Sequence, residues 1–326
     1  MIISRTPLRV SFLGGGSDLP AYYRRHGGAV LSTAIDQSVY VTVSRKFDDA
    51  VRVSYSRTEE VARASQVEHP LVRESLALAG IEGGIEITSV ADIPAKGTGL
   101  GSSSSFTVGL LNALRAYCGR HASAADLAQD ACRIEIELCG EPIGKQDQYA
   151  AAFGGLNFIR FNPDDSVEVK KVICAPSLIS ELRERLLFFY TGVTRSASEV
   201  LEQQSAGLAV AGARSDAMGE MVRLAEAAYA DLCSGNIDTL GKMLHTAWQL
   251  KKQMADGISS PLVDKVYQAA IDAGAEGGKL LGAGGGGFLM FMAPPERHAA
   301  IRLALGGLRE TPWGFAAQGS SIIFVH

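Results

Sequence analysis

The chain is poor in the residues that build covalent or metal-held scaffolds. Its five cysteines (Cys118, Cys132, Cys139, Cys174, Cys233) are scattered and include no CxxC pair. That argues against a disulfide framework and a zinc site, and for a reducing compartment. The six histidines show no ligand spacing, so a histidine- or zinc-based mechanism has no support. No apolar run approaches the roughly 18 residues of a membrane span. The opening Met1-Ile-Ile-Ser-Arg-Thr-Pro7 lacks the apolar core of a signal peptide, so the expected location is cytoplasmic, with no membrane partner. Charge of neither sign dominates: 31 Lys and Arg against 35 Asp and Glu give a net charge of −4. Such a balance leaves no footprint for nucleic acid. A Walker A motif is also missing, because Gly278-Lys279 is followed by Leu280.

Glycine, by contrast, is abundant at 36 residues, and it clusters. The most informative cluster is Pro94-Ala-Lys-Gly97-Thr-Gly99-Leu-Gly101-Ser102-Ser103-Ser104-Ser105, between an expected strand (85–88) and an expected helix (106–117). Glycines let the backbone approach a ligand in dihedrals closed to other residues. A helix start adds unpaired N–H groups and the positive end of its dipole. Together these make an anion site, most often for phosphate; the serines add donors and one Mg²⁺ ligand. A plain flexible loop is the alternative reading. Gly282-Ala-Gly284-Gly-Gly-Gly287 fits GxGxxG, but the dinucleotide fingerprint needs a helix after it, and here an apolar strand (288–292) follows.

With 326 residues the chain exceeds one typical core. Strands are expected at 8–13, 38–44, 85–88, 186–190, 288–292 and 320–325. Helices are expected at 58–80, 106–117, 122–139 (opened by Ser123), 146–153, 196–234, 236–254, 261–273 and 295–306. The mixture reads as α+β in two domains, 1–185 and 186–326.

Three motifs in order carry a resemblance: Arg5-Thr-Pro-Leu-Arg-Val-Ser-Phe-Leu-Gly-Gly-Gly-Ser-Asp-Leu-Pro20, Lys96-Gly-Thr-Gly-Leu-Gly-Ser-Ser-Ser104, and Lys279-Leu-Leu-Gly-Ala-Gly-Gly-Gly-Gly-Phe288. The chain resembles the superfamily of galactokinases, homoserine kinases, mevalonate kinases and phosphomevalonate kinases, the GHMP kinases, over nearly its whole length. The resemblance implies a two-domain fold, with an N-terminal ATP-binding domain like part of ribosomal protein S5 and a ferredoxin-like C-terminal domain. It also implies ATP and Mg²⁺ as cofactors. Gly14-Gly-Gly-Ser-Asp-Leu-Pro-Ala-Tyr-Tyr23, Gly27-Gly-Ala-Val-Leu-Ser-Thr-Ala-Ile-Asp36 and Tyr190-Thr-Gly-Val-Thr-Arg-Ser-Ala-Ser198 are similar to the heptose 7-phosphate kinase branch. Fucokinase domains share parts of this pattern. The implied activity is phosphorylation of the anomeric hydroxyl of a sugar phosphate. Alternatives are an anomeric kinase of another sugar such as fucose, and a non-catalytic sugar- and ATP-binding regulator. Expected partners are ATP and a small sugar phosphate; a homodimer is open.

Several residue roles follow from the resemblance. Asp147, in Gly144-Lys-Gln-Asp147, matches the catalytic aspartate that orients the sugar hydroxyl, although alone it reads sooner as a helix N-terminal acid. Arg9 would face the transferring phosphoryl, or else hold the first loop. Lys96, Gly97, Thr98, Gly99, Leu100, Gly101, Ser102, Ser103 and Ser104 would bind ATP. Ser103 and Glu135 match the metal ligands, with Glu137 a competitor aimed elsewhere by the helical twist. Ser104 and Ser105 replace commoner alanines, which leaves open which serine meets the metal. Gly16, Ser17, Asp18, Gly284 and Gly285 would contact substrate. Arg195 is the expected anchor for the sugar phosphate, with Arg24 and Arg25 as weaker ones. Trp248 reads as core.

Overall fold

The computed structural model describes residues 1–94, 97–193, 197–210 and 212–326. Among these, the strands are β1 (Ile2–Leu13), β2 (Gly28–Arg45), β3 (Val51–Ser54), β4 (Thr58–Val61), β5 (Ile85–Ala91), β6 (Leu156–Phe161), β7 (Val167–Lys171), β8 (Leu186–Tyr190), β9 (Gly277–Leu280), β10 (Phe288–Met292), β11 (Arg309–Glu310) and β12 (Ser321–Val325). The helices are α1 (Pro20–His26), α2 (Pro70–Ala79), α3 (Ser102–Tyr117), α4 (Ala124–Cys132), α5 (Gln146–Phe153), α6 (Pro176–Glu184), α7 (Ala197–Leu208), α8 (Ala213–Cys233), α9 (Leu240–Lys251), α10 (Pro261–Asp272) and α11 (His298–Ala304).

The first sheet is built around β2. Its 18 residues pair with β1 along one side, and on the other with β6 at Gly28–Thr33 and with β5 at Val39–Arg45. Val39, Val41 and Val43 point into the core at the strand period of two. The sheet runs β12-β1-β2-β5-β3-β4, with β6 attached to β2 and β7 to β6. The second sheet runs β11-β8-β10-β9, all antiparallel. Every residue of β10, Phe288-Leu-Met-Phe-Met292, is buried, which explains its unbroken apolar sequence.

The second sheet begins at Leu186, and the closing strand β12 returns to pair with β1, Ile2 opposite Val325. One apolar cluster joins the two sheets, from Leu8 and Val41 through Phe188 and Met290 to Leu244. The halves therefore share a core, and the cleft between them has a fixed floor.

Three expected helices are corrected. The stretch 58–80 holds a strand, β4, then a short 3-10 turn (Ala64–Gln66) and only then α2. Pro70 opens α2 at its first turn, where a missing N–H is tolerated; inside a longer helix it would break the ladder. The stretch 122–139 starts at the Ser123 cap, whose hydroxyl accepts from the Asp126 N–H at 3.1 Å, but changes after Cys132 into a π-helical turn, Arg133–Leu138. The stretch 196–234 is divided into α7 and α8, with Gly212 capping the second.

Candidate active site

A cavity of about 720 Å³ lies where the glycine clusters of both halves meet. The serine loop and the late glycine loop touch backbone to backbone. A Cβ on Gly99 would fall 2.3 Å from the Leu281 carbonyl oxygen, and one on Gly282 would fall 2.5 Å from Gly99 Cα. Only glycine permits that approach, and Gly99, Gly101 and Gly282 also adopt positive φ (77°, 75° and 78°). No side chain caps the start of α3, so its first N–H groups stay available at the wall that Ser102, Ser103 and Ser104 line. Chemically such a wall suits a phosphate group.

Asp147 sits in the first turn of α5 and reaches back to β1. Arg9 Nε and Nη2 each donate to one of its carboxylate oxygens at 2.7 Å, a bidentate pair, and Arg9 Nη1 donates to the Gly99 carbonyl at 2.6 Å. One guanidinium thus ties the aspartate to the serine loop. The Arg9 side chain is 5% exposed and that of Asp147 22%, so the acid keeps an open side toward the cavity. Gly101 is again required: a Cβ there would lie 3.1 Å from Asp147 Oδ2.

Asp18 is buried on the same wall. It accepts from the Gly16 N–H at 3.0 Å, the Gln146 N–H at 3.1 Å and Gln146 Nε2 at 3.0 Å. Three of roughly four acceptor positions on the carboxylate are taken by the protein. Asp18 therefore positions the first loop and the start of α5 as well as lining the cavity. Burial pushes its pKa up, with the Asp147 charge adding to the effect. Gly144 makes this contact possible, because a Cβ there would fall 1.9 Å from Asp18 Oδ2.

Glu135 is completely buried in the π-helical turn, while Glu137 is exposed. Its carboxylate accepts from Ser103 Oγ at 2.8 Å and Gln148 Nε2 at 2.5 Å. Burial, only partly offset by hydrogen bonds from Ser104, Ser103 and Gln148, raises its pKa to about 7. No metal-like cluster of three His, Cys, Asp or Glu residues occurs among the described residues. The one-carboxylate, one-hydroxyl set suits a hard cation that completes its shell with phosphate oxygens and water.

The lining also includes two lysines that motif reading did not select. Lys251, the last residue of α9, and Lys279, on β9, are 6% and 9% exposed and both line the cavity. Lys251 Nζ donates to Gln204 Oε1 at 2.9 Å and lies 3.4 Å from the Gly15 carbonyl; Lys279 Nζ donates to the Phe12 carbonyl at 3.2 Å. Burial holds Lys251 down to about 8 and Lys279 to about 7; Lys251 and Arg9 also depress Lys279.

The other expected residues are distributed unevenly. Gly97 through Ser104, Gly16, Asp18 and Gly284 line the cavity together with Arg9 and Asp147. Ser17 does not: it is fully buried and its hydroxyl donates to the Ala29 carbonyl and accepts from the Ala29 N–H, both at 3.0 Å. Gly285 is likewise off the wall, its N–H spent on the Ile258 carbonyl at 3.0 Å. Glu135 stands behind Ser103 rather than on the wall. Arg24 pairs with Asp165 on the surface, and Arg25 bonds the Ala21 and Leu208 carbonyls; neither reaches the cavity. Lys96 and Arg195 lie outside the described residues. Trp248 is buried beside Tyr267, as core.

The fold and this cleft define a GHMP kinase, and the chain belongs to that family. The family's N-terminal domain matches residues 41–155 and its C-terminal domain residues 228–306. Among named relatives, a D-glycero-alpha-D-manno-heptose 7-phosphate kinase of Campylobacter jejuni is 29% identical, covering 93% of each chain. A crystal structure described as a D-glycero-D-manno-heptose 1-phosphate kinase of Bacteroides thetaiotaomicron aligns over 100% of both chains with TM-score 0.81 and 25% identity. A bifunctional fucokinase/GDP-fucose pyrophosphorylase of Arabidopsis thaliana is 27% identical over 90% of this chain, which spans only 30% of that protein's length. The chain is thus an ATP-dependent kinase of the sugar kinase type. No helix among the described residues is long and apolar enough to cross a membrane.

Proposed function

We propose that this protein transfers the γ-phosphoryl of ATP to the anomeric (C1) hydroxyl of D-glycero-D-manno-heptose 7-phosphate, giving the 1,7-bisphosphate on a route to activated heptose for surface polysaccharide. The observation that carries the reading is the Asp147–Arg9 pair, held inside a cavity walled by both glycine loops. The similarity to heptose kinases over the whole chain supports the sugar.

In this reading the serine loop and the start of α3 hold the triphosphate. Asp147 orients the C1 hydroxyl and takes its proton as the new O–P bond forms, while the bond to the departing ADP breaks. Arg9 holds Asp147 in place and faces the charge on the transferring group. Asp18, Gly16 and Gly284 form the wall against the sugar. Ser103 and Glu135 would hold Mg²⁺, a fit supported by a fully buried carboxylate facing only hydroxyl and amide donors. Bound there, the ion would neutralise phosphate charge. Residues 1–185 would supply the nucleotide side and 186–326 the facing wall, in a cytoplasmic enzyme.

The test is ADP release with MgATP over a panel of the heptose 7-phosphate, the heptose 1-phosphate, unphosphorylated heptose, fucose, galactose and mevalonate. Preference for the 7-phosphate with the new phosphate on C1 is expected. Preference for fucose would move the substrate to the fucokinase branch while keeping the mechanism. ATP binding without any turnover would favour the regulator.

A further inference from the structure

We propose that Lys251 and Lys279, with the hydroxyl of Ser11, form an anion subsite that takes the phosphate already carried by the sugar, separate from the loop that holds ATP. The inference rests on the substrate reading above and deepens it.

The first support is an imbalance of donors. Both ammonium groups meet only neutral acceptors, the Gln204 side-chain oxygen and the carbonyls of Gly15 and Phe12. Each ammonium has three N–H donors, so Lys279 keeps two spare. Ser11 adds a third group: its hydroxyl is buried and has no partner, and it lines the same cavity. A buried, uncompensated charge is unfavourable unless an anion arrives or the proton leaves.

The second support is location. Both lysines lean on the backbone of the first motif, through Phe12 and Gly15, rather than on the serine loop. The serine loop is bonded instead by Arg9, whose guanidinium donates to both Gly99 and Asp147. An anion held by the lysines would therefore lie beside the first motif, the segment that the substrate reading gives to the sugar.

The third support is electrostatic. Burial apart, Asp18 acts on Lys251, and Lys251 and Arg9 act on Lys279. Asp18 is occupied by three protein donors. Lysines lowered to about 8 and about 7 are partly neutral near pH 8. A phosphate dianion would restore their protons, so its binding should draw protons from the buffer.

The experiment compares wild type with K251M and K279M, using intact enzyme whose fold is checked by circular dichroism and Tm. The primary readout is the ratio of kcat/KM for heptose 7-phosphate over unphosphorylated heptose. In K251M that ratio should fall about tenfold or more, through KM for the phosphorylated sugar, with the Kd for a non-hydrolysable ATP analogue unchanged. An unchanged ratio, equal losses on both sugars, or a loss confined to the nucleotide would overturn the proposal. Calorimetry of inorganic phosphate with analogue-loaded enzyme, in buffers of different ionisation enthalpy at pH 8, gives the second arm. Proton uptake in wild type that shrinks in both variants supports the subsite. If wild type prefers a sugar without phosphate, the substrate reading fails; the anion subsite then stands only if K251M also weakens phosphate binding.

Discussion

The two walls of the cleft solve opposite problems. Around the wall built from β1, α3 and α5, three acids are already engaged. Asp147 is clamped by Arg9, Asp18 by the first loop and Gln146, and Glu135 by Ser103 and Gln148. On the wall built from α9 and β9, two ammonium groups are buried with only carbonyl and amide oxygens as hydrogen-bond acceptors. The first wall is preorganised; the second is left unsatisfied. Preorganised groups suit the reacting centre, because they need no reorganisation as charge develops. Unsatisfied cations suit a binding subsite, because an arriving anion relieves them.

Four measurements can break or sharpen that contrast. The largest effect should follow D147N, which keeps the shape and removes the proton acceptor. Turnover should fall about 10²–10⁴-fold, with nucleotide binding retained by equilibrium titration; wild-type turnover would end the catalytic assignment. Next comes R9M, which leaves a half-buried carboxylate unpaired and should destabilise the protein by about 2 kcal/mol in urea unfolding. A neutral result would mean that the pair contributes nothing to the acidic wall.

A smaller effect is set by pH. Glu135 titrates at about 7 in the folded protein against 4.5 in the unfolded chain. The folded state thus retains a proton that the unfolded state has released. The stability this group contributes is complete below pH 4.5 and is lost as pH rises toward 7. The Tm of metal-free wild type should accordingly fall relative to E135Q across that window, and parallel Tm curves would contradict the assignment. The smallest effect should be that of K251M on the ligand-free protein, within about 1 kcal/mol of wild type, since removal of a buried charge offsets the lost bonds to Gln204 and Gly15. A large loss of stability would make Lys251 a structural residue and erase the difference between the walls.

The sequence made some of this legible and hid the rest for physical reasons. The serine loop was readable because glycines and hydroxyls before a helix have few purposes. Lys251 left a fainter signal: it continues the buried stripe of Leu240, Leu244 and Ala247 along α9, so a charge stands where an apolar residue is expected. Ser17 illustrates the reverse. Its place in a glycine-rich motif suggested a ligand contact, yet the turn aims its hydroxyl at Ala29. Glu135 and Glu137 were separable by helical twist alone, but the π-helical turn that carries Glu135 into the interior was not foreseen.

By itself, the sequence determined the family, the three motifs and the element types of short, unbroken apolar runs such as β8 and β10. These follow from local constraints: backbone dihedrals that need glycine, caps, and runs that must be buried. Tertiary structure alone decided which groups face one another. The bidentate clamp joins residues 9 and 147, the acceptor for Lys251 comes from residue 204, and the sheet that opens the chain is closed by its last strand. Pairings across such sequence distances leave no periodicity or spacing in a single chain; they arise only when segments far apart in the chain fold onto a common core.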